Sequence, residues 1–188
     1  MDSVALAWGL RPDLAITIDY GQLAAGGEIR AATAVCQTVG IPHRVVRVDC
    51  RCLGSGDMAG TASMPMAPVT EWWPFRNQLV ITFGAATALQ EGMTHLAIAA
   101  VSNDASHADG RREFFEAMNR VLQIQEGAVV LETPALEDTT VSLCRRVSIP
   151  FEILAWSHSC HTSEHACGWC RGCRKHRESM RELGYGEY

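Results

Sequence analysis

The segment Cys160-His-Thr-Ser-Glu-His-Ala-Cys-Gly-Trp-Cys-Arg-Gly-Cys173 decides the fold of this chain. It holds four of the eight cysteines, and it ends in two overlapping C-x-x-C steps. Structural zinc sites take four thiolates in a tetrahedron, and a C-x-x-C turn presents two sulfurs to one ion. Unrelated buried cysteines would not cluster in this way. We therefore predict a structural zinc site whose ligands are Cys160, Cys167, Cys170 and Cys173.

Bulk composition narrows the class of protein. The chain has 188 residues, 47% of them hydrophobic, which suits one globular unit with a sizeable core. A net charge of −5 disfavours a nucleic-acid partner, because such proteins usually carry a basic excess. No apolar run approaches the roughly 18 residues of a membrane span, and no signal-peptide pattern opens the chain. Cysteines grouped for a metal indicate a reducing compartment, so we expect a cytoplasmic protein with no membrane partner.

Apolar runs alternate with helical patterns, which predicts an α/β fold with a mostly parallel sheet and helices on both faces. The predicted strands are 14–19, 44–49, 95–101 and 128–131, and the predicted helices are 28–39, 75–91, 111–125, 141–147 and 174–183. Segment 51–70, rich in Gly, Ser, Met and Pro, is expected to be a mobile flap or partly disordered. Ligands of such folds bind beyond the carboxyl ends of the strands, so the loops after strands are candidate sites.

Three such loops carry suitable side chains. Residues 19–22 (Asp-Tyr-Gly-Gln) suit ribose or base recognition, although a plain turn would explain them equally well. Arg76 and Asn77 open the longest predicted helix, where free amides attract anions, and the alternative is a solvated arginine. Segment 102–111 could read a small polar heterocycle, or its acidic and basic residues could only cap the next helix. Lys175 is the single lysine, so phosphate contacts must use it or arginine.

The order of these pieces resembles the 7-cyano-7-deazaguanine synthases, zinc-containing members of the PP-loop ATP pyrophosphatase family. The ordered set consists of Asp19-Tyr20-Gly21-Gln22, Pro74-x-Arg76-Asn77, Asp104-x-Ser106 leading to Asp109-x-Arg111, Glu132-Thr133-Pro134, and the cysteine run. The resemblance extends over essentially the whole chain, and the specificity lies in the ordered set rather than in any single motif.

The resemblance implies a HUP-type sheet and ATP-dependent activation of the carboxylate of 7-carboxy-7-deazaguanine. Adenylation would release pyrophosphate, ammonia would give an amide, and a second ATP would drive dehydration to the nitrile. Magnesium would neutralise the phosphates, and zinc would be structural, holding the C-terminal segment near the site. The partners would be the small molecules ATP, deazaguanine carboxylate and ammonia, and a homodimer is compatible with the resemblance.

The resemblance also implies residue roles and a division of the chain. Catalytic roles would fall on Asp2, Ser3, Arg76 and Asn77. Binding of ATP or substrate would fall on Asp19, Tyr20, Gln22, Asp104, Ser106, Asp109, Arg111 and Thr133. Residues 1–150 would form the PP-loop domain, and residues 151–188 a zinc-binding segment packed on it.

The chain departs from the family pattern in three places. Family members begin with a central strand and a Ser-Gly-Gly-x-Asp-Ser loop, and the opening residues match only the last three positions of that loop. We expect a misplaced start or a truncated chain, because a missing central strand leaves backbone groups unpaired on both neighbours. Thr140 and Ser142 stand where the family usually has a lysine and a glutamate, and His107-Ala108 replaces a Gly-Tyr-Pro run.

Three functions therefore compete. The first is the ligase just described. The second keeps the adenylation and transfers the activated carboxylate to a different amine. The third is an ATP-incompetent, zinc-stapled protein that binds a nucleobase or a partner. The first is favoured by the ordered motifs, and a simple zinc-knuckle nucleic-acid binder is disfavoured by the acidic net charge.

Overall fold

The structure, a computed structural model, describes residues 1–104 and 107–186, so the predicted site residue Ser106 lies outside it. The helices are α1 (Asp2–Leu10), α2 (Ala25–Val39), α3 (Arg76–Gln90), α4 (Arg112–Gln123), α5 (Thr140–Arg146), α6 (Phe151–Leu154) and α7 (Arg171–Glu182). The strands are β1 (Ala15–Asp19), β2 (His43–Arg47), β3 (His95–Ala97) and β4 (Val130–Glu132). Short 3-10 turns cover Arg51–Leu53, Ser102–Asp104 and Ala108–Gly110.

All strand pairing in the described ranges is parallel. β1 pairs with β2, with Ala15 opposite His43, and β3 pairs with β4, with His95 opposite Val130. Across residues 1–104 and 107–186 these strands form two separate two-stranded sheets rather than one. Helix α3 contacts both β1 and β3, so one helix packs against both pairs. The predicted α/β class with parallel strands is confirmed, and the sheet is present as two halves.

Helix α1 is an element that the sequence patterns did not predict. Its adjacent residues Ala5 and Leu6 are both buried, so its apolar positions lack the clean helical period. The Trp8 indole Nε1 donates a hydrogen bond to the Val147 carbonyl, at 3.1 Å. A hydrophobic core joins α1 to α2, α5, α6 and α7, and its fully buried members include Leu143, Leu154 and Met180. The C-terminal helix is therefore packed against the body.

Two further cores lie on either side of α3. Ile81 and Ala85 pack with Phe115 and Met118 of α4. A third core surrounds Trp73 and includes Ile18, Tyr20, Cys50 and Met58, with Val80 and Phe83 of α3 packed against it. Because α3 contributes to both cores, its first turn is held in a fixed position relative to both sheets.

Segment 51–70 is folded against the body rather than disordered. Ser55 and Met58 are buried in it. The Thr70 hydroxyl donates to Asp57 Oδ2 at 2.6 Å, and the Asp57 amide donates to the Thr70 carbonyl at 2.7 Å. These contacts close the segment into a loop that delivers Trp73 to the core. In the part of the chain that the structure describes, no helix has the length and apolar character needed to cross a membrane.

Candidate functional site

The four sulfurs of the cysteine run come together as predicted. The Sγ atoms of Cys160, Cys167, Cys170 and Cys173 all lie within 4.8 Å of one another. Two of the sulfur pairs, Cys167–Cys173 and Cys160–Cys170, are 3.9 Å apart. Zinc–sulfur bonds of about 2.3 Å in a tetrahedron place neighbouring sulfurs about 3.8 Å apart. The donors and their spacing therefore fit a zinc ion.

Backbone amides around the cluster favour the thiolate form that a metal requires. The His161 amide donates to Cys170 Sγ, and the Cys170 amide to Cys167 Sγ, each at 3.4 Å. Burial raises the pKa of Cys167, but hydrogen bonds from the Thr162 hydroxyl and from nearby backbone amides outweigh burial and lower it to about 6. The Cys167 thiol would bind a cation with little competition from protons at neutral pH, whereas burial raises the pKa of Cys173 to about 12, so a metal would have to displace the proton of that ligand.

Two glycines permit this tight geometry. Gly168 has φ +84°, a left-handed conformation that side chains rarely adopt. A Cβ at Gly172 would overlap the Ser159 carbonyl oxygen. The knuckle therefore needs glycine at both positions, for conformation at the first and for close approach at the second.

The cysteine segment is anchored on the body by arginine–carboxylate contacts that sequence reasoning missed. Arg30 of α2 donates to the Glu164 carboxylate and to its carbonyl, both at 2.8 Å. Arg171 Nη1 lies 2.8 Å from Glu71 Oε1 and 3.2 Å from His107 Nε2. Burial raises the pKa of Glu71, but the hydrogen bond and charge of Arg171 offset this, so its pKa lies below the usual value. Such partners lie too far apart in the chain to leave a local signal.

The first turn of α3 brings three predicted site residues together. Phe75 precedes it in a left-handed conformation, with φ 55°. The Arg76 guanidinium donates to Asn77 Oδ1 at 3.1 and 3.3 Å. Asn77 Nδ2 donates to the Asp109 carbonyl at 2.8 Å, and the Asn77 amide lies 3.4 Å from Asp109 Oδ2. The Asp109 carboxylate thus lies at the helix N-terminus, where negative charge is favoured.

The turn after β1 is built mainly on internal contacts. Asp19 Oδ1 accepts a hydrogen bond from the Gly21 amide at 3.1 Å. Gln22 is buried, accepts from the Tyr20 amide at 3.0 Å and donates to Glu28 Oε2 at 2.7 Å. Tyr20 is also buried. The side chains of Tyr20 and Gln22 therefore shape this turn, and a direct role for them in binding ligands stays a prediction.

Asp2 and Asp104 are brought together by a residue with no assigned role. Lys175 Nζ lies 3.3 Å from Asp2 Oδ2 and 3.3 Å from Asp104 Oδ1. Ser3 is exposed in the first turn of α1. The signal for Lys175 was its status as the single lysine of the chain. Its two partners could be found only from the fold.

The remaining predicted residues lie at the ends of elements. Arg111 is exposed and immediately precedes α4. Thr133 follows β4 and is half-buried. Ser142, at the position where the family usually has a glutamate, forms a capping box with Thr139. The Ser142 hydroxyl accepts a hydrogen bond from the Thr139 amide at 2.8 Å, and the Thr139 hydroxyl accepts one from the Ser142 amide at 3.0 Å. The departure at Ser142 therefore has a structural role at the start of α5.

Comparison with known proteins relates this chain to curated enzymes. A 7-cyano-7-deazaguanine synthase of Desulforudis audaxviator is 31% identical, with 97% of this chain and 92% of the relative aligned. Enzymes of the same name from Chromobacterium violaceum and Methanocaldococcus jannaschii are 29% and 27% identical, each over 90% of this chain and 78% and 84% of their own lengths.

A family model supports the same relationship. The model described as queuosine biosynthesis protein QueC matches residues 1–184. That range takes in both halves of the sheet, the first turn of α3 and the four-cysteine cluster. This chain therefore belongs to the QueC family of queuosine biosynthesis proteins.

Proposed function

We propose that this protein is an ATP-dependent carbon–nitrogen ligase of the 7-cyano-7-deazaguanine synthase type. Its substrates would be ATP, the carboxylate of 7-carboxy-7-deazaguanine and ammonia. The main support is the family match over residues 1–184. Polar residues also follow the parallel strands β1, β3 and β4 along the chain, where such folds bind ligands, and this supports the proposal further.

The chemistry follows from leaving groups. A carboxylate oxygen is too poor a leaving group for ammonia to displace. Attack of the carboxylate on the α-phosphorus of ATP would form an acyl adenylate and release pyrophosphate. Ammonia would then attack the acyl carbon, and AMP would leave with the former carboxylate oxygen to give the amide. A second adenylation, on the amide oxygen, would let AMP depart as the nitrogen loses its protons, which forms the nitrile.

We assign the contacts with the phosphates of ATP to Arg76, Asp2 and Ser3. Arg76 is half-buried, carries a permanent charge and lies at the start of α3, so its guanidinium could stabilise phosphate or carboxylate oxygens. Asn77 would fix that guanidinium through the contacts at 3.1 and 3.3 Å. Asp2 and Asp104 offer carboxylate oxygens of the kind Mg²⁺ prefers, and bound magnesium would neutralise phosphate charge.

We assign recognition of the heterocycle and the ribose to the loops after the strands. Asp19 is half-buried at the end of β1 and could accept from ribose hydroxyls. Asp109 and Arg111 lie just before α4, and Thr133 follows β4, so all three could contact the bound heterocycle. Ser106 belongs to the same proposal on its sequence position alone.

We assign zinc a structural role. The four thiolates would occupy a complete tetrahedral set, which leaves no open position for substrate. The division into a nucleotide-binding unit, 1–150, and a zinc-binding segment, 151–188, is part of the same proposal. Zinc would then hold α7 in place beside the site rather than take part in the reaction.

A second proposal keeps the adenylation and changes the acceptor amine. It is supported by the departures at Thr140 and 107–108, which alter residues near the proposed heterocycle site. A third, an ATP-incompetent binding protein, predicts no turnover of ATP at all. The identity of the product separates the three.

The test is product analysis with the zinc-loaded protein, ATP, Mg²⁺, 7-carboxy-7-deazaguanine and ammonium. The proposal predicts the nitrile, two AMP and two pyrophosphate per turnover. Arg76→Ala should reduce kcat by about a hundredfold with little loss of stability, since one stabilising cation is removed. Arg120→Ala, an exposed arginine at the end of α4, is the matched control. In a parallel reaction that offers other amines in place of ammonium, an adduct with one of them would favour the second proposal, and unconsumed ATP in both reactions would favour the third.

A further inference from the structure

The single lysine connects three segments that are remote in sequence. Lys175 lies on α7, two positions after the cysteine ligand Cys173. Its ammonium lies 3.3 Å from Asp2 Oδ2, in the first turn of α1, and 3.3 Å from Asp104 Oδ1, in the turn after β3. An ammonium has three donors in a compact group, so it can hold two carboxylates at once.

This cluster is more than a surface ion pair. The Asp2 side chain is 19% exposed, that of Lys175 34% and that of Asp104 43%, so the cluster is best shielded from solvent at Asp2. Burial raises the pKa of Asp2, but the charge of the Met1 amino group, the charge of Lys175 and hydrogen bonds from Thr140 and Lys175 outweigh burial, so the pKa of this carboxyl lies below its usual value. Removing the ammonium would leave a partly buried carboxylate facing a second carboxylate, and this repulsion would drive the two apart.

The position of Lys175 is fixed by the cysteine cluster. Cys170 precedes α7 and its Sγ accepts a hydrogen bond from the Cys173 amide, at 3.4 Å. Cys173 lies in the first turn of the helix, and Met180 near its end is buried in the core. The direction of the helix, and therefore the place of its ammonium, follows from how the knuckle closes.

We propose that Lys175 is a positioning residue that couples the zinc knuckle to the ligand site by holding the carboxylates of Asp2 and Asp104 together. Only the identity of the ligand rests on the proposed function. The turn Ser102–Asp104 is joined to the body by the Ser102 amide, which donates to the Asp138 carbonyl at 2.8 Å. Asn103 Oδ1 accepts a hydrogen bond from the Thr140 amide at 3.2 Å, and Lys175 attaches the Asp104 end of the turn.

Loss of Lys175 should affect the turn Ser102–Asp104 and the proposed ligand site, and it should leave the zinc cluster unaffected. Without Lys175, zinc stays bound and α7 stays folded, but the Asp104 end of the turn moves. Misplacing site groups by about 1 Å can reduce turnover on the order of a hundredfold. Arginine at this position keeps the charge and the two contacts, although its longer planar group fits the carboxylates less well.

The experiment compares Lys175→Met with Arg177→Met. Both changes remove one positive charge from α7, but Arg177 is exposed and two residues further along the helix. Zinc content, hydrogen–deuterium exchange of peptides covering 98–104, binding of Mg²⁺ with a non-hydrolysable ATP analogue, and kcat are measured for each. We expect both variants to keep one zinc per chain. Only Lys175→Met should accelerate exchange in 98–104, weaken nucleotide binding about tenfold and reduce kcat about a hundredfold.

Two further variants keep the result interpretable. Lys175→Arg should restore slow exchange and part of kcat. Asp104→Asn combined with Lys175→Met should exchange amides in 98–104 no faster than Lys175→Met alone, since both changes break one contact. Equal exchange in Lys175→Met and Arg177→Met overturns the coupling, and so does loss of zinc from Lys175→Met. Failure of the unmodified protein to bind the ATP analogue counts instead against the proposed function, while the exchange result still tests the coupling.

Discussion

The zinc knuckle and the proposed ligand site are built in opposite ways. The knuckle takes four ligands from fourteen consecutive residues, and their sulfurs lie within 4.8 Å of one another. The proposed site draws Asp2, Asn77, Asp104 and Asp109 from segments spread over the first two thirds of the chain. The first depends on local turns and a metal, and the second on the packing of helices against two half-sheets. The two regions should therefore respond differently to mutation.

Loss of a zinc ligand should have the largest effect. Cys173→Ser removes one thiolate, and because metal-binding energy is folding energy in such a site, we expect a loss of several kcal/mol of stability. Zinc content should fall well below one per chain, and α7 should exchange amide hydrogens rapidly. Metal analysis and thermal melting measure this. Cys52→Ser, at an exposed cysteine outside the cluster, should retain zinc and stability. Full zinc content in Cys173→Ser would remove that residue from the site.

This contrast explains how much could be predicted from the sequence. The cysteine ligands and the long helices α2, α3 and α4 were predicted to within a few residues at each end, because spacing and period encode them locally. Strand β3 is shorter than the predicted 95–101 because its partner β4 offers only Val130–Glu132 for pairing. The length of a strand depends on the strand with which it pairs, so it cannot be predicted from the residues of one strand alone.

The parts that could not be predicted share one physical cause. Helix α1 buries neighbouring residues against α5 and α6, so its burial pattern is set by tertiary contacts and not by one amphipathic face. The pairs Lys175–Asp2 and Arg171–Glu71 are separated by more than ninety residues. Asp109 was placed near a ligand on sequence grounds, and the hydrogen bond from Asn77 to its carbonyl could be seen only in three dimensions.

Asn77→Ala should impair the proposed ligand site and leave the zinc knuckle intact, which is the second largest effect that we expect. The change removes the 2.8 Å hydrogen bond to Asp109 and the support for Arg76, so turnover should fall by about a hundredfold while zinc content is unchanged. Steady-state kinetics with metal analysis check this. Gln78→Ala removes a neighbouring, exposed amide and should leave turnover intact. Unchanged kinetics in Asn77→Ala would place the site elsewhere.

Acid should weaken the C-terminal region through a half-buried histidine, His176. Burial lowers the pKa of His176 to about 4, whereas an unfolded histidine titrates near 6.5. Between pH 4 and about pH 6.5 the unfolded state binds a proton at His176 that the folded state does not bind. The free energy of unfolding therefore falls as the pH falls below about 6.5. From pH 7 to pH 5.5 the loss should be about 1 kcal/mol.

Denaturant unfolding at several pH values, with excess zinc present, tests this dependence. His176→Gln should flatten the profile, and His95→Gln, at an exposed histidine, should leave its shape unchanged. A profile that stays as steep without His176 would assign the acid sensitivity to another group.

The smallest effect concerns backbone strain beside the proposed site. Phe75 has φ 55° and its side chain is 72% exposed, so glycine loses little packing there and removes the strain. Phe75→Gly should raise stability by up to about 1 kcal/mol. Ser148→Gly, at another left-handed residue, should act in the same direction. Destabilisation by Phe75→Gly, measured by thermal melting, would show that this side chain makes contacts that outweigh the strain.

The most direct test is isotope exchange between pyrophosphate and ATP, catalysed by the zinc-loaded protein with 7-carboxy-7-deazaguanine present and ammonia absent. Adenylation at the site around Arg76 predicts exchange that requires the carboxylate and falls about a hundredfold in Asn77→Ala. Exchange that is absent from a folded, zinc-containing protein, or that proceeds without the carboxylate, would contradict the assignment of carboxylate activation to this site.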